Sequence, residues 1–244
     1  MSATEYNVDL RDVKFILFEQ LRIQETLAEA PQFADFDIDF YGSIVDEATR
    51  LAVEAVAPTN KDGDVIGATF ADGVVTCPPS YQEAYDVQAQ GGWFAISASP
   101  EHGGMGLPDV IGMAVTEILT GANMALSIYT GLTKGVGNLL VEFGSDWMNE
   151  IVTPKLFTGE WAGTMLLTEA GAGSDVGENR CKAERTDEDG IYLLEGEKIF
   201  ISGGDQDLSE NIIHVVLARL PDAEPGTRGQ VRIDGRCWAI PAGS

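Results

Sequence analysis

Met165-Leu166-Leu167-Thr168-Glu169-Ala170-Gly171-Ala172-Gly173-Ser174-Asp175-Val176-Gly177 is the stretch that decides how this chain is read. An apolar run of β type enters a glycine-rich loop. Such a loop bares backbone N–H groups, and Thr168 and Ser174 add hydroxyls. Together they suit a phosphate or the polar edge of a cofactor. A dinucleotide-binding loop would need G-x-G-x-x-G opening a helix inside a βαβ unit. Here Gly171, Gly173 and Gly177 are spaced G-x-G-x-x-x-G, and another β-type run follows. The nicotinamide reading is therefore set aside, and no Walker lysine accompanies the glycines.

Working outward, the residues after Trp161 are short β-type runs separated by turns. Segments 164–167, 181–186, 191–194, 198–201 and 212–218 are the candidate strands, and Asp189-Gly190 reads as a hairpin turn. Upstream the period changes to that of a helix. Helices are predicted over 12–28, 40–57, 80–90, 132–143 and 146–156. The clearest follows Pro108, with Ile111, Val115, Ile118, Leu119, Ala122, Ala125 and Leu126 at helical spacing. Asp62-Gly63 and Asp72-Gly73 read as turns in an irregular stretch between 59 and 79. The order predicts an α+β protein, helical first and antiparallel β second, with a boundary near residue 160.

Composition narrows the function classes. The chain has 244 residues, with 15 Lys+Arg against 39 Asp+Glu and a net charge of −24. A chain so acidic lacks the basic face that nucleic acid or an anionic membrane surface requires. The apolar-leaning stretch 118–141 is interrupted by Asn123, Gly131, Lys134 and Gly135, so no membrane span is expected. Three scattered cysteines, Cys77, Cys181 and Cys237, form neither a disulfide framework nor a metal-ligand pattern. A cytoplasmic protein without a bound metal is expected, and the N-terminus does not look like a signal peptide.

Three motifs in order carry a resemblance. Leu167-Thr168-Glu169-Ala170-Gly171-Ala172-Gly173-Ser174-Asp175 resembles the first signature of the acyl-CoA dehydrogenase flavoproteins, with Ala170 where a proline is usual. Gly196-Glu197-Lys198-Ile199-Phe200-Ile201-Ser202-Gly203-Gly204 is similar to a second family segment. Glu101-His102-Gly103-Gly104-Met105-Gly106-Leu107-Pro108 is close to a third. The segment from Asp9 onward resembles the extra N-terminal part of longer bacterial members, such as 3-methylmercaptopropionyl-CoA dehydrogenases.

The resemblance implies a fold and a site. It implies an N-terminal extension helix over 1–36, a helical domain over 37–160 and an incomplete β-barrel-like domain over 161–244. FAD would be contacted by Met165, Leu167, Thr168, Gly173, Ser174, Phe200 and Ser202, and Ser174 would also lie near the acyl-CoA. The implied reaction is α,β-dehydrogenation of an acyl-CoA thioester, with electrons passed to an electron-transfer flavoprotein. The full-length parent would be a homo-oligomer. The family's base is a glutamate on a C-terminal helical domain, so no catalytic residue is assigned here and Glu169 is not promoted to that role. Because residues 230–238 do not continue the family's β pattern, a truncated or frame-shifted coding sequence is expected, inactive by itself as a dehydrogenase. The rival expectations are an acyl-CoA oxidase fragment and a non-catalytic interaction subunit.

Other eye-catching residues receive ordinary roles. His214, in Ile212-Ile213-His214-Val215-Val216, reads as a strand residue. His102 reads as a solvated loop residue, Trp93 and Phe94 as core, and Glu117 as solvent-facing or ion-paired. The glycines around Gly103 read more readily as a turn than as a ligand site.

Overall fold

The computed structural model describes residues 6–188, 190–224 and 226. Two compact units divide the chain, Met1–Ile128 and Tyr129–Ser244.

In the first unit, α1 (Leu10–Lys14) starts where the Asp9 carboxylate accepts from the N–H groups of Arg11 and Asp12. A π-helical turn over Phe15–Gln20 follows. The predicted helix 12–28 does not run through: Arg22 takes a left-handed conformation, φ 51°, and α2 (Ile23–Ala28) begins anew. α3 (Ile38–Leu51) is capped by Asp37, which accepts from Phe40 N–H. It passes through a π-helical turn, Ala52–Val56, to the short α4 (Asn60–Val65). The Asp62-Gly63 turn is thus helical. Asp72-Gly73 does turn: both residues have positive φ and join β1 (Thr69–Ala71) to antiparallel β2 (Val74–Thr76). Two residues of this conformation match the twist of a tight hairpin. α5 (Pro79–Gln90) and α6 (Asp109–Ala122) begin at prolines or just after them, as predicted.

The core of this unit is apolar. Tyr41, Val45 and Ala48 of α3 and Ile111, Val115 and Ile118 of α6 are buried, and these two helices pack on each other. Tyr85 meets Phe94 edge to face, with ring centroids 4.9 Å apart. Polar side chains are built in as well, Thr59, Gln88 and Asn123 among them. Buried Asn123 donates to Thr59 Oγ1 at 2.8 Å and accepts from Leu126 N–H at 3.0 Å, capping the start of α7 (Met124–Phe143).

In the second unit, a π-helical turn over Met148–Val152 leads into α8 (Thr153–Phe157). Val136, Leu140, Met148, Val152, Leu156 and Val215 form its core. Gly163 of β3 (Trp161–Leu166) must be small, because a Cβ there would come within 2.7 Å of Val136. β4 (Lys182–Arg185) and β5 (Tyr192–Glu195) pair antiparallel, as the turn signal predicted, although Asp189 itself lies outside the described residues. β3, however, pairs parallel with β6 (Asn211–Val216). That corrects the wholly antiparallel expectation. Parallel strands need a long crossover, and residues 167–210 supply one that contains the β4–β5 hairpin. The described strands make three two-stranded sheets and no closed barrel. The predicted strand 198–201 does not form, since Phe200 at φ 58° leaves the extended region. No helix among the described residues is long and apolar enough to cross a membrane. Residues 230–238, with Cys237, lie outside the described residues.

Candidate functional site

The glycine-rich loop leaves β3 at Leu166. Glu169 and Ala172 exchange both backbone hydrogen bonds at 3.1 Å, closing a tight turn over Ala170 and Gly171. Asp175 accepts from Gly177 N–H at 3.1 Å and starts a short 3₁₀ turn. Between these anchors the N–H groups of Gly171, Gly173 and Ser174 have no acceptor in the chain among the described residues. Gly173 and Ser174 are exposed, and a Cβ on Gly171 or Gly173 would meet nothing within 4 Å. The loop therefore presents open donors, as an anion or carbonyl ligand requires.

Glu169 is buried within this largely exposed loop, as Ala172 is. Glu169 is only 8% exposed. Its carboxylate accepts from Arg180 N–H at 2.6 Å, Cys181 N–H at 2.9 Å and Lys198 Nζ at 2.9 Å. Burial alone would raise its pKa. The lysine bond, the two backbone N–H bonds and the lysine charge outweigh that and hold the carboxyl below its ordinary value. Lys198 is equally buried and also donates to the Leu167 carbonyl at 3.0 Å. Ile199 N–H donates to the Thr168 carbonyl at 2.9 Å. The glycine-rich loop and the 196–204 segment are thus tied side by side.

This tie brings together the segments that hold the sequence-predicted ligand residues. Met165 and Leu167 are each 36% exposed, Thr168 is half-buried and Ser202 is exposed. Phe200 is 88% exposed. The Glu169–Lys198 pair was missed from sequence as a unit; its only signal was an acidic residue in one motif and a basic residue in the other. His214 behaves as a strand residue. It sits opposite Thr164 in the β3–β6 register, its Nδ1 2.6 Å from Thr164 Oγ1, and burial pushes its pKa down against the pull of Asp205. Cys181 is a buried free thiol whose pKa burial raises. With Lys198, His214, Leu166, Ile201 and Val216 it lines a cavity of about 330 Å³.

The third motif is of a different kind. From Gly103 to Leu107 every N–H bonds a carbonyl of residues 95–100. A Cβ on Gly104 would lie 2.1 Å from the Ala98 oxygen. This is a packing loop, as the ordinary reading held. Phe94 is buried, Trp93 partly so, and Glu117 faces outward.

Residues 43–160 match the family model described as acyl-CoA dehydrogenase, N-terminal domain. A 3-methylmercaptopropionyl-CoA dehydrogenase from Ruegeria pomeroyi is 42% identical over 224 residues, 92% of this chain and 38% of that protein. The chain belongs to the acyl-CoA dehydrogenase family. It spans about 38% of the length of that Ruegeria relative and of a butyryl-CoA dehydrogenase from Syntrophomonas wolfei, which is 34% identical over 94% of this chain. The butyryl-CoA dehydrogenase structure from Megasphaera elsdenii aligns with a TM-score of 0.65 and 25% identity, over 80% of this chain and 48% of that one. A family structure from Bacillus anthracis, solved in complex with FAD, aligns over 77% of this chain and 30% of its own, with a TM-score of 0.61 and 24% identity. At that identity the likeness concerns the fold.

Proposed function

We propose that this chain supplies the flavin-facing segments of an enzyme that dehydrogenates an acyl-CoA thioester between its α and β carbons. One observation carries the reading. Two motif segments are tied together, one presenting open N–H groups and the other an exposed aromatic ring. The residues fit the cofactor in chemistry. Gly173 and Ser174 offer unused donors to a pyrophosphate or ring carbonyl, and the Cβ-free space at Gly171 and Gly173 admits a ligand against the backbone. Phe200 offers an apolar face to a planar ring system, and Met165, Leu167, Thr168 and Ser202 complete the proposed contacts. Bound FAD would accept the hydride that leaves the β carbon.

The chain's own groups do the rest of this part of the work. Thr168, Ser174 and Ser202 orient by hydrogen bonding, and Ser174 also stands near the acyl group. Glu169 does not take the α proton. Its carboxylate already accepts three hydrogen bonds and resists protonation. The base, the electron-transfer flavoprotein as acceptor, a homo-oligomeric assembly and the domain division 1–36, 37–160 and 161–244 belong to the same proposal.

The test is a titration of the purified chain with FAD, followed by quenching of flavin fluorescence. Gly173→Val should abolish quenching while leaving thermal unfolding in place, because the added side chain meets open space in the fold but blocks a ligand's approach. Quenching equal to wild type would sink the mapping. In a full-length relative supplied with acyl-CoA, oxygen consumption in place of reduction of an artificial dye would favour an oxidase.

A further inference from the structure

We infer that Glu169 and Lys198 act as a positioning clamp for the ligand-facing residues, holding them in register without touching the ligand. The inference rests on the flavin reading above and goes beyond it, because neither residue is among the proposed contacts.

Both side chains are buried, 9% exposed for Glu169 and 6% for Lys198. Neither has a free polar atom to offer. The lysine ammonium is shared between the Glu169 carboxylate and the Leu167 carbonyl, and the carboxylate also holds the N–H groups of Arg180 and Cys181. What the pair fixes is backbone. It locks residues 167–169 to 198–199, with the Ile199-to-Thr168 bond as the third tie. The proposed contact residues stand immediately beside the locked positions, Leu167 and Thr168 on one segment and Phe200 and Ser202 on the other.

Phe200 shows what the clamp must resist. An L-aromatic residue avoids a φ of 58°, and an exposed ring gains no packing to offset that strain. The conformation persists because both flanks are held: Ile199 by Thr168, and Ile201 by the N–H of Gly204 at 3.3 Å. A strained, exposed aromatic held between two anchors is the arrangement of a group kept ready for a planar partner.

The experiment compares Glu169→Gln, Lys198→Met and the double substitution by thermal unfolding and by FAD fluorescence quenching. Lys198→Met strands a buried carboxylate and should lower both stability and affinity. The double substitution removes the stranded charge, so most of the lost stability should return. The bond to Leu167 does not return, so FAD should still bind at least tenfold more weakly than to wild type, with a visible band closer to that of free flavin. Lys198→Arg, which keeps the charge and a donor, should recover part of the affinity. If affinity recovers in step with stability in the double variant, the pair is merely structural and the clamp is overturned. Native affinity in the folded Lys198→Met variant overturns it as well. Gly173→Val and Phe200→Ala separate the two readings. If these lose FAD while the clamp variants keep it, only the clamp fails. If wild type does not quench FAD at all, the flavin reading fails and the clamp falls with it.

Discussion

The chain has two glycine-rich loops of similar look, 101–108 in the first unit and 169–177 in the second. In the first, the N–H groups from Gly103 to Leu107 all bond carbonyls of residues 95–100, and the Ala98 oxygen fills the space beside Gly104. In the second, the N–H groups of Gly171, Gly173 and Ser174 stay unspent among the described residues, and the space beside both glycines is open. Glycine content does not separate a packing loop from a ligand loop. The destination of the backbone donors does. The means of support differ too: main-chain bonds hold the first loop in place, and a buried ion pair holds the second.

The largest expected effect attacks that support. Lys198→Met should cost about 3–5 kcal/mol, the usual penalty for leaving a buried charge unpaired. Denaturant unfolding of the second unit measures it, and a loss within experimental error would mean the second loop is held like the first. Next comes Gly104→Ala. Its Cβ would sit 2.1 Å from a backbone oxygen that cannot swing aside, and overpacking of this kind costs about 1–3 kcal/mol. An unchanged melting temperature would show that the first loop yields as easily as the second.

A smaller effect is a pH dependence. The folded-state pKa of Glu169 lies below its ordinary value. The stability it contributes is therefore whole above about pH 4.3, the unperturbed carboxyl value, and is lost as pH falls below it. The gap in stability between wild type and Glu169→Gln should be constant from pH 7 to 5 and close on further acidification. A gap that does not narrow at all as the pH falls below that value would contradict the pairing. The smallest effect is at Gly171→Ala. With open space and no left-handed φ, stability should stay level or rise by up to about 1 kcal/mol, since alanine lowers the entropy of the unfolded chain. A clear loss of stability would place Gly171 with Gly104 as a packing glycine.

The same contrast explains what the sequence could and could not reveal. α6 was legible because its buried face repeats at helical spacing and Pro108 marks its start, while the Asp37 cap that starts α3 two residues before the expected 40 was not read. Nor was the start of α7. Helix was expected only from 132, but the residues from Met124 on, Gly131 included, sit in a helix whose first turn is capped by buried Asn123. The break at Arg22 left no local sign, since a left-handed arginine is imposed by its surroundings. In the second unit, the glycine-rich motifs were legible as a pattern. The pair that joins them was not, because Glu169 and Lys198 meet across 29 positions and obey no period. The parallel pairing of β3 with β6 was hidden likewise. A local Asp-Gly turn signals a neighbour, and β3 has its partner beyond that hairpin.

That parallel pairing also sets a timetable. A nascent chain grows at roughly 5–20 residues per second. β3 ends at Leu166, and its partner register is complete only at Val216, 50 residues later. For roughly 3–10 seconds of synthesis, β3 therefore waits as an unpaired edge rich in apolar residues. The β4–β5 hairpin emerges within that interval and can close from its own local contacts. Newly made chains should then be most vulnerable to edge-to-edge association just before Val216 appears, so codons or temperatures that slow translation of 167–216 should lower the yield of folded protein.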